Sequence, residues 1–144
     1  DLIYYEPRFE TQIHCEMPSR KYDKTGSFEQ VVIDRSYVCR RPNPYRRCAY
    51  DVYLGGVDPI VKIRNGNPLR HKKILVLNDS FGRPVSALLS SVYEEVWAID
   101  LRFVKPTDVE DVIAKMRPDI VCHVINENAL SQSAFFLEDD SKKK

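Results

Sequence analysis

The pattern of apolar and polar positions changes character near residue 70. After it, Ile74, Leu75, Val76 and Leu77 form a four-residue apolar run that ends in Asn78-Asp79-Ser80-Phe81-Gly82. A short apolar run bounded by polar residues suits a buried strand. Val85, Leu88, Leu89 and Val92 then fall at i, i+3, i+4 and i+7, one face of a helix. Continued along the chain, the pattern predicts strands over 73–77, 96–99 and 119–125 and helices over about 84–92 and 107–116. Thr107 and Glu110 have capping-box spacing at the second helix, and Arg117-Pro118 closes it. Strands alternating with helices of about ten residues imply βαβ crossovers and a parallel sheet.

Before residue 70, short β-like runs (9–15, 30–33 and 60–63) alternate with turn signals, among them Gly26-Ser27, Gly55-Gly56 and Asn65-Gly66-Asn67-Pro68. Three parallel strands make a poor independent sheet, so the first half is expected to add strands or cover it, or more sheet lies outside this chain. The reading is one α/β domain over 1–144. A β-rich, loop-rich part spans 1–70, and a βαβαβ part with a parallel, three-layer, flavodoxin-like sheet spans 71–138. The opening Asp1-Leu2-Ile3, without methionine, reads as a cut from something longer.

Charge adds a second division. Residues 1–72 hold 13 Lys/Arg against 9 Asp/Glu, and the later half reverses the sign. Arg35, Arg40, Arg41, Arg46 and Arg47 interleave with Tyr37, Tyr45 and Tyr50, a mixture that nucleic-acid binders use. Pro42 and Pro44 break that segment and the sequence pI is about 7.8, so nucleic acid is not expected as a partner. No apolar run approaches the roughly 20 residues of a membrane span. Cys15, Cys39, Cys48 and Cys122 match no common zinc spacing. Cys39 and Cys48 flank a Pro-containing loop that an oxidising compartment could bridge, and Cys122, in an apolar run, reads as a small buried hydrophobe. No metal or organic cofactor is indicated.

The pattern places Ser80 where a strand ends and a helix begins, the position at which open α/β sheets hold ligands. Three uses are open there. Asp79 and Ser80 suit helix capping; a serine at such a corner suits acyl transfer, with backbone N–H groups holding the oxyanion; and a helix amino terminus accepts phosphate. Phosphate is disfavoured by the absence of GxGxxG and of a P-loop. Asn126-Glu127-Asn128 ends the third strand level with Ser80, and Asp100 and Arg102 end the second, where they can pair. His71 precedes the first strand and falls at the opposite end of the sheet. His123 reads as a core histidine, and His14 lies in a β-like run of the first half. Asn78-Asp79-Ser80 is formally a glycosylation sequon, read as coincidence.

Asp79-Ser80-Phe81-Gly82 after an apolar strand resembles the first block of SGNH/GDSL hydrolases, with Asn78 at the usual glycine. Tyr5-Glu6-Pro7-Arg8-Phe9-Glu10-Thr11, Gly26-Ser27-Phe28-Glu29, Asn43-Pro44-Tyr45 and Ile99-Asp100-Leu101-Arg102 look like the carboxyl-terminal half of the DHHW group, a branch similar to the alginate O-acetyltransferase AlgX. The resemblance covers roughly residues 4–130. It implies a serine-dependent esterase or O-acetyltransferase acting on acyl esters of an extracellular glycan, in a secreted or membrane-anchored parent. Ser80 is the implied nucleophile, with Asp79, Asn126, Asn78 and Arg102 as supporting or oxyanion candidates. The group's upstream Asp-x-His is absent from this chain. The alternative is a non-catalytic SGNH-like module binding glycan or protein, for which Tyr4, Tyr5, Tyr37, Tyr45, Tyr50 and Tyr53 would suit sugar stacking.

Overall fold

The computed structural model describes residues 5–36 and 49–127. Its elements run β1 (Ile13–Met17), β2 (Tyr22–Gly26), α1 (Phe28–Val32), β3 (Ile60–Asn65), β4 (Arg70–Asn78), α2 (Gly82–Val92), β5 (Tyr93–Asp100), α3 (Pro106–Met116) and β6 (Ile120–Val124). All six strands form one sheet in the order β2-β1-β3-β5-β4-β6. β4 lies between β5 and β6 and is parallel to both. The first half adds its three strands beyond β5, each antiparallel to its neighbour. The sheet is therefore mixed, and the expectation that the first half extends it holds.

The alternation of side chains along the strands divides the core. Ile74, Val76, Val96 and Ala98 share one core with Ile13, Cys15, Met17 and Ile63 of the first half, with Phe28, Val31 and Val32 of α1, and with Ala87 of α2. Leu75, Trp97 and Ile99 point the other way and pack on Val109, Val112 and Met116 of α3. Consecutive helices thus cover opposite faces, the arrangement right-handed crossovers produce. Each fully buried aliphatic side chain contributes about 1.5–3 kcal/mol, so the doubly covered β4–β5 pair is where most of the driving force collects.

Several elements depart from the sequence pattern for identifiable reasons. The 30–33 run is mostly helix, not strand, because Ser27 and Gln30 form a reciprocal capping box: Gln30 N–H donates to Ser27 Oγ at 3.3 Å and Ser27 N–H to Gln30 Oε1 at 2.9 Å. The first strand begins at Ile13 rather than at residue 9. β2 carries no apolar run and is absent from the sequence pattern. α3 starts at Pro106, whose ring suits the first helical position. Asp108 accepts the Lys105 N–H at 2.9 Å, and Thr107 lies inside the helix.

On α2 the deepest face is Gly82, Arg83, Ser86, Ala87 and Ser90, with Leu88 and Leu89 flanking and Val85 exposed. Ser86, Ser90 and Ser91 give their hydroxyl protons to carbonyls of the same helix, so small polar residues are buried without loss. Cys122 is half-buried on β6, an edge strand among the described residues, and His123 beside it is exposed, not a core histidine. Burial pushes the Cys15 thiol up to about 12. Cys39 and Cys48, Tyr4, Tyr37 and Tyr45, Asn43-Pro44, Asn128 and the arginines at 40, 41, 46 and 47 lie outside the described residues.

Among the described residues no helix covers the second face over β1 and β3. There Thr25, His14, Arg64, Glu95 and Lys73 line up in register across five strands. Glu95 takes Arg64 and Lys73 at 3.5 Å each and the Trp97 indole N–H at 2.8 Å, and Lys62 sits 4.9 Å over the Trp97 ring. Beyond β3, the Asn65 turn does not make a hairpin, since β5 separates β3 from β4. Asn65 instead donates its amide to the Ser90 and Ser91 carbonyls at 3.1 and 3.0 Å, closing α2.

Asn65→Ala removes both of these bonds and leaves two buried carbonyls unpaired, so stability should fall by about 2 kcal/mol in urea unfolding. At the start of β6, Asp119 accepts the Lys73 N–H at 2.8 Å and Lys72 Nζ at 2.9 Å, and these hold its carboxyl below the ordinary aspartate value. A depressed carboxylate contributes above its unfolded pKa of about 3.9 and loses that contribution as pH falls through the lower folded value. The wild type should therefore exceed Asp119→Asn in stability at pH 6, with the difference vanishing near pH 2.

Candidate active site

The β4–α2 connection leaves toward one face and the β5–α3 connection toward the other, so the carboxyl ends of β4 and β5 border a crevice at a topological switch point. Ser80 stands there. Leu101 N–H donates to the Asn78 carbonyl at 3.0 Å, joining the two strand ends. Asp100 N–H reaches the Pro59 carbonyl at 2.9 Å, which brings the start of β3 to the same edge.

The turn itself is held from within. Asp79, 4% exposed, accepts the Phe81 N–H on Oδ1 at 2.8 Å and the Asn126 N–H on Oδ2 at 2.9 Å. Gly82 N–H goes to the Asp79 carbonyl at 3.2 Å, and Asn78 Nδ2 to the same oxygen at 2.5 Å. Asp79 thus closes the turn ahead of α2, whose N-cap residue is Phe81 and carries no side-chain cap bond, so neither capping candidate caps the helix. Among the described residues neither the Ser80 hydroxyl nor its N–H makes a hydrogen bond, and the side chain is half-buried. The set of backbone oxyanion donors at this corner contracts accordingly, because the Phe81 and Gly82 amides are spent on Asp79.

The other candidates have defined places. Asn78 is 3% exposed, its donor is used inside the turn, and its Oδ1 has no partner among the described residues. Asn126, at the end of β6, donates its backbone N–H to the Asp79 carboxylate. Arg102 grips Asp100 with Nε at 2.9 Å and Nη2 at 2.6 Å and lies 5.2 Å from the Phe103 ring centre. Sequence reasoning missed the partner of α2's first turn: Arg83 Nη1 donates to Asp51 Oδ1 at 2.6 Å, with both side chains under 10% exposed. It also missed Asp58, which takes Ser19 Oγ at 2.5 Å and Arg20 Nε at 3.5 Å, while Arg20 binds the Leu54 and Gly55 carbonyls. Nothing in the spacing of these pairs announces them; they meet only through the fold. Of the tyrosines offered for sugar stacking, Tyr53 is buried and bonded to the Tyr5 backbone, and Tyr5 is exposed.

None of the three histidines reaches Ser80. His123 pairs in register with Leu77, one position before the β4–β6 ladder ends, and among the described residues makes no hydrogen bond to Ser80. His14 is in the row of Lys73, roughly 17 Å below Asn78. It bonds Glu16 at 3.1 Å and Thr25 at 3.0 Å, and holds the Glu16 carboxyl below its usual value. His71 sits lower still, 3.2 Å from Glu94. A concavity of about 510 Å³ lined by His14, Arg64, Lys73 and Glu95 opens at that far edge, away from Ser80.

The fold is similar to that of PatB1 from Bacillus cereus. The match has a TM-score of 0.67 at 20% identity and covers 94% of this chain and 42% of that one. A structure of PatB1 with a sulfonyl adduct matches with a TM-score of 0.64 at 20% identity, over 92% and 42%. A DHHW family protein from Eubacterium siraeum matches with a TM-score of 0.56 at 20% identity, over 92% and 41%. The chain thus spans less than half the length of these solved chains. Comparison of the sequence with family models and with characterised proteins returns no match. The DHHW resemblance read from residue blocks is met at the level of fold.

Gly82 makes the turn's tightness testable. A Cβ on it would stand 2.3 Å from Asn78 Cβ, far inside any real contact. Alanine gains about 1 kcal/mol of helix propensity over glycine, but the clash is with a buried side chain against its own strand, and overpacking costs about 1–3 kcal/mol. Gly82→Ala should lower stability by about 1–2 kcal/mol in urea unfolding, the reverse of what propensity alone predicts.

Proposed function

We propose that this chain carries the nucleophile of an SGNH-like serine esterase or O-acetyltransferase that acts on acyl, chiefly acetyl, esters of an extracellular glycan. The observation that carries the reading is Ser80: a hydroxyl and an N–H left unclaimed, among the described residues, in a turn whose other polar groups are nearly all committed. Ser80 Oγ adds to the acyl carbonyl carbon, and the bond to the departing alcohol oxygen breaks. The Ser80 proton passes through a base to that oxygen, leaving an acyl-serine. Water or a second hydroxyl then takes the acyl group, and exclusion of water decides which. The Ser80 N–H faces the developing oxyanion. The fold likeness to PatB1, in which a sulfonyl adduct has been captured, supports a reactive centre in this fold, since sulfonyl groups transfer to activated nucleophiles.

The base is proposed to come from outside this chain, because its three histidines are all displaced from Ser80. That same displacement favours the second reading, a non-catalytic SGNH-like module that binds glycan or protein.

Intact-mass measurement after incubation with a fluorophosphonate separates the two. An oxyanion site without a base keeps only a small part of the reactivity, so the chain should label slowly. A single adduct is expected, missing in Ser80→Ala. Imidazole in the buffer should restore a base from solution and speed labelling by about tenfold or more. No adduct with or without imidazole overturns the nucleophile reading in favour of the module.

A further inference from the structure

We propose that Asp79 is a positioning residue that couples the Ser80 turn to the loop after β6, so that the two move as one unit; its consequence for reactivity rests on the nucleophile reading above. Its carboxylate is buried, and its two oxygens are divided between two elements. Oδ1 holds Phe81 N–H of the turn at 2.8 Å and Oδ2 holds Asn126 N–H of the β6 loop at 2.9 Å. The Asp79 N–H reaches back to the Val124 carbonyl at 3.4 Å, so the same residue grips both sides of the β6 end.

This division has three effects. With both oxygens committed to backbone donors, Asp79 is not a base for Ser80. Because the Phe81 amide is consumed, the Ser80 N–H is left as the donor for an oxyanion at this corner. And β6, which among the described residues pairs only with β4, gains a charge-assisted clamp at its end, where the ladder stops at Asn78↔Val124. Loss of either bond frees a loop beside the reacting atom, and a displacement of about 1 Å at such a place costs up to about 100-fold in rate.

Asp79→Asn and Asp79→Ala separate coupling from simple structure. Asparagine keeps one acceptor, which the local turn to Phe81 retains, and presents an NH₂ to the Asn126 N–H. Alanine loses both. Hydrogen exchange read by mass spectrometry on the 144-residue chain should show 125–127 deprotected in both variants and 81–82 deprotected only in Asp79→Ala. With imidazole present, fluorophosphonate labelling should fall about tenfold in Asp79→Asn and about 100-fold in Asp79→Ala. Unchanged protection of 125–127 in Asp79→Asn overturns the coupling. Deprotection there with labelling within twofold of wild type makes Asp79 a structural clamp only and overturns its positioning role. If the wild type itself does not label, the nucleophile reading fails, and the exchange pattern still decides whether the coupling exists.

Discussion

Everything at the carboxyl edge depends on β4 and β5 being sealed on both faces. Ile74, Leu75 and Val76 in one strand and Val96 to Ile99 in the other are at most 4% exposed. Neither strand can slide by a residue without carrying an apolar set to the wrong face. The point at which each strand runs out of apolar residues is therefore fixed, and the polar turns beyond those points are fixed with it. Asn78-Asp79-Ser80 and Asp100-Leu101-Arg102 are held side by side by this register, which pairs Asn78 with Asp100.

A sealed strand pair also dictates how polar groups at its ends are treated. Asp51, Asp58, Asp79 and Asp100 are all buried around this edge, and each is bound: to Arg83, to Ser19 and Arg20, to two backbone amides, and to Arg102. A buried carboxylate without partners would be costly, so the satisfaction of all four is what the burial demands. Ser80, whose hydroxyl and amide make no hydrogen bond among the described residues, stands out against that background. The first half of the chain supplies two of the four acids, Asp51 and Asp58, along with Ser19 and Arg20, which makes it part of the site's support.

The βαβαβ half was legible because its signal is local. Runs of apolar residues, a helix face and Pro118 mark each element where it occurs, and the position of Ser80 comes from their order. The first half was harder to read because its information is shared across the sheet. β2 has no apolar run because its exposed residues face solvent at an edge, and α1 was hidden by Val31 and Val32, which suit either state; only Ser27 and Gln30 at capping-box spacing could have revealed it. The buried face of α2 was misplaced for a different reason. Hydrophobic periodicity finds large apolar residues, whereas close approach to a sheet selects small ones, and three serines that bond their own helix served that purpose. The Arg83–Asp51 and Arg20–Asp58 pairs join residues 32 and 38 positions apart, beyond the reach of any spacing rule.

The near-contact of Gly82 with Asn78 ties two positions into one volume. Asn78 occupies the place where the hydrolase block it resembles carries glycine, and the helix opposite answers with a glycine of its own at 82. Space at this corner is kept, while the residue that leaves it empty changes strand for helix. A chain with glycine at 78 is released from the requirement at 82, and one with a side chain at 82 has to surrender the one at 78. Neither exchange can pass through an intermediate with side chains at both positions without disturbing the turn, so the order in which such substitutions accumulate is constrained to pass through glycine at both.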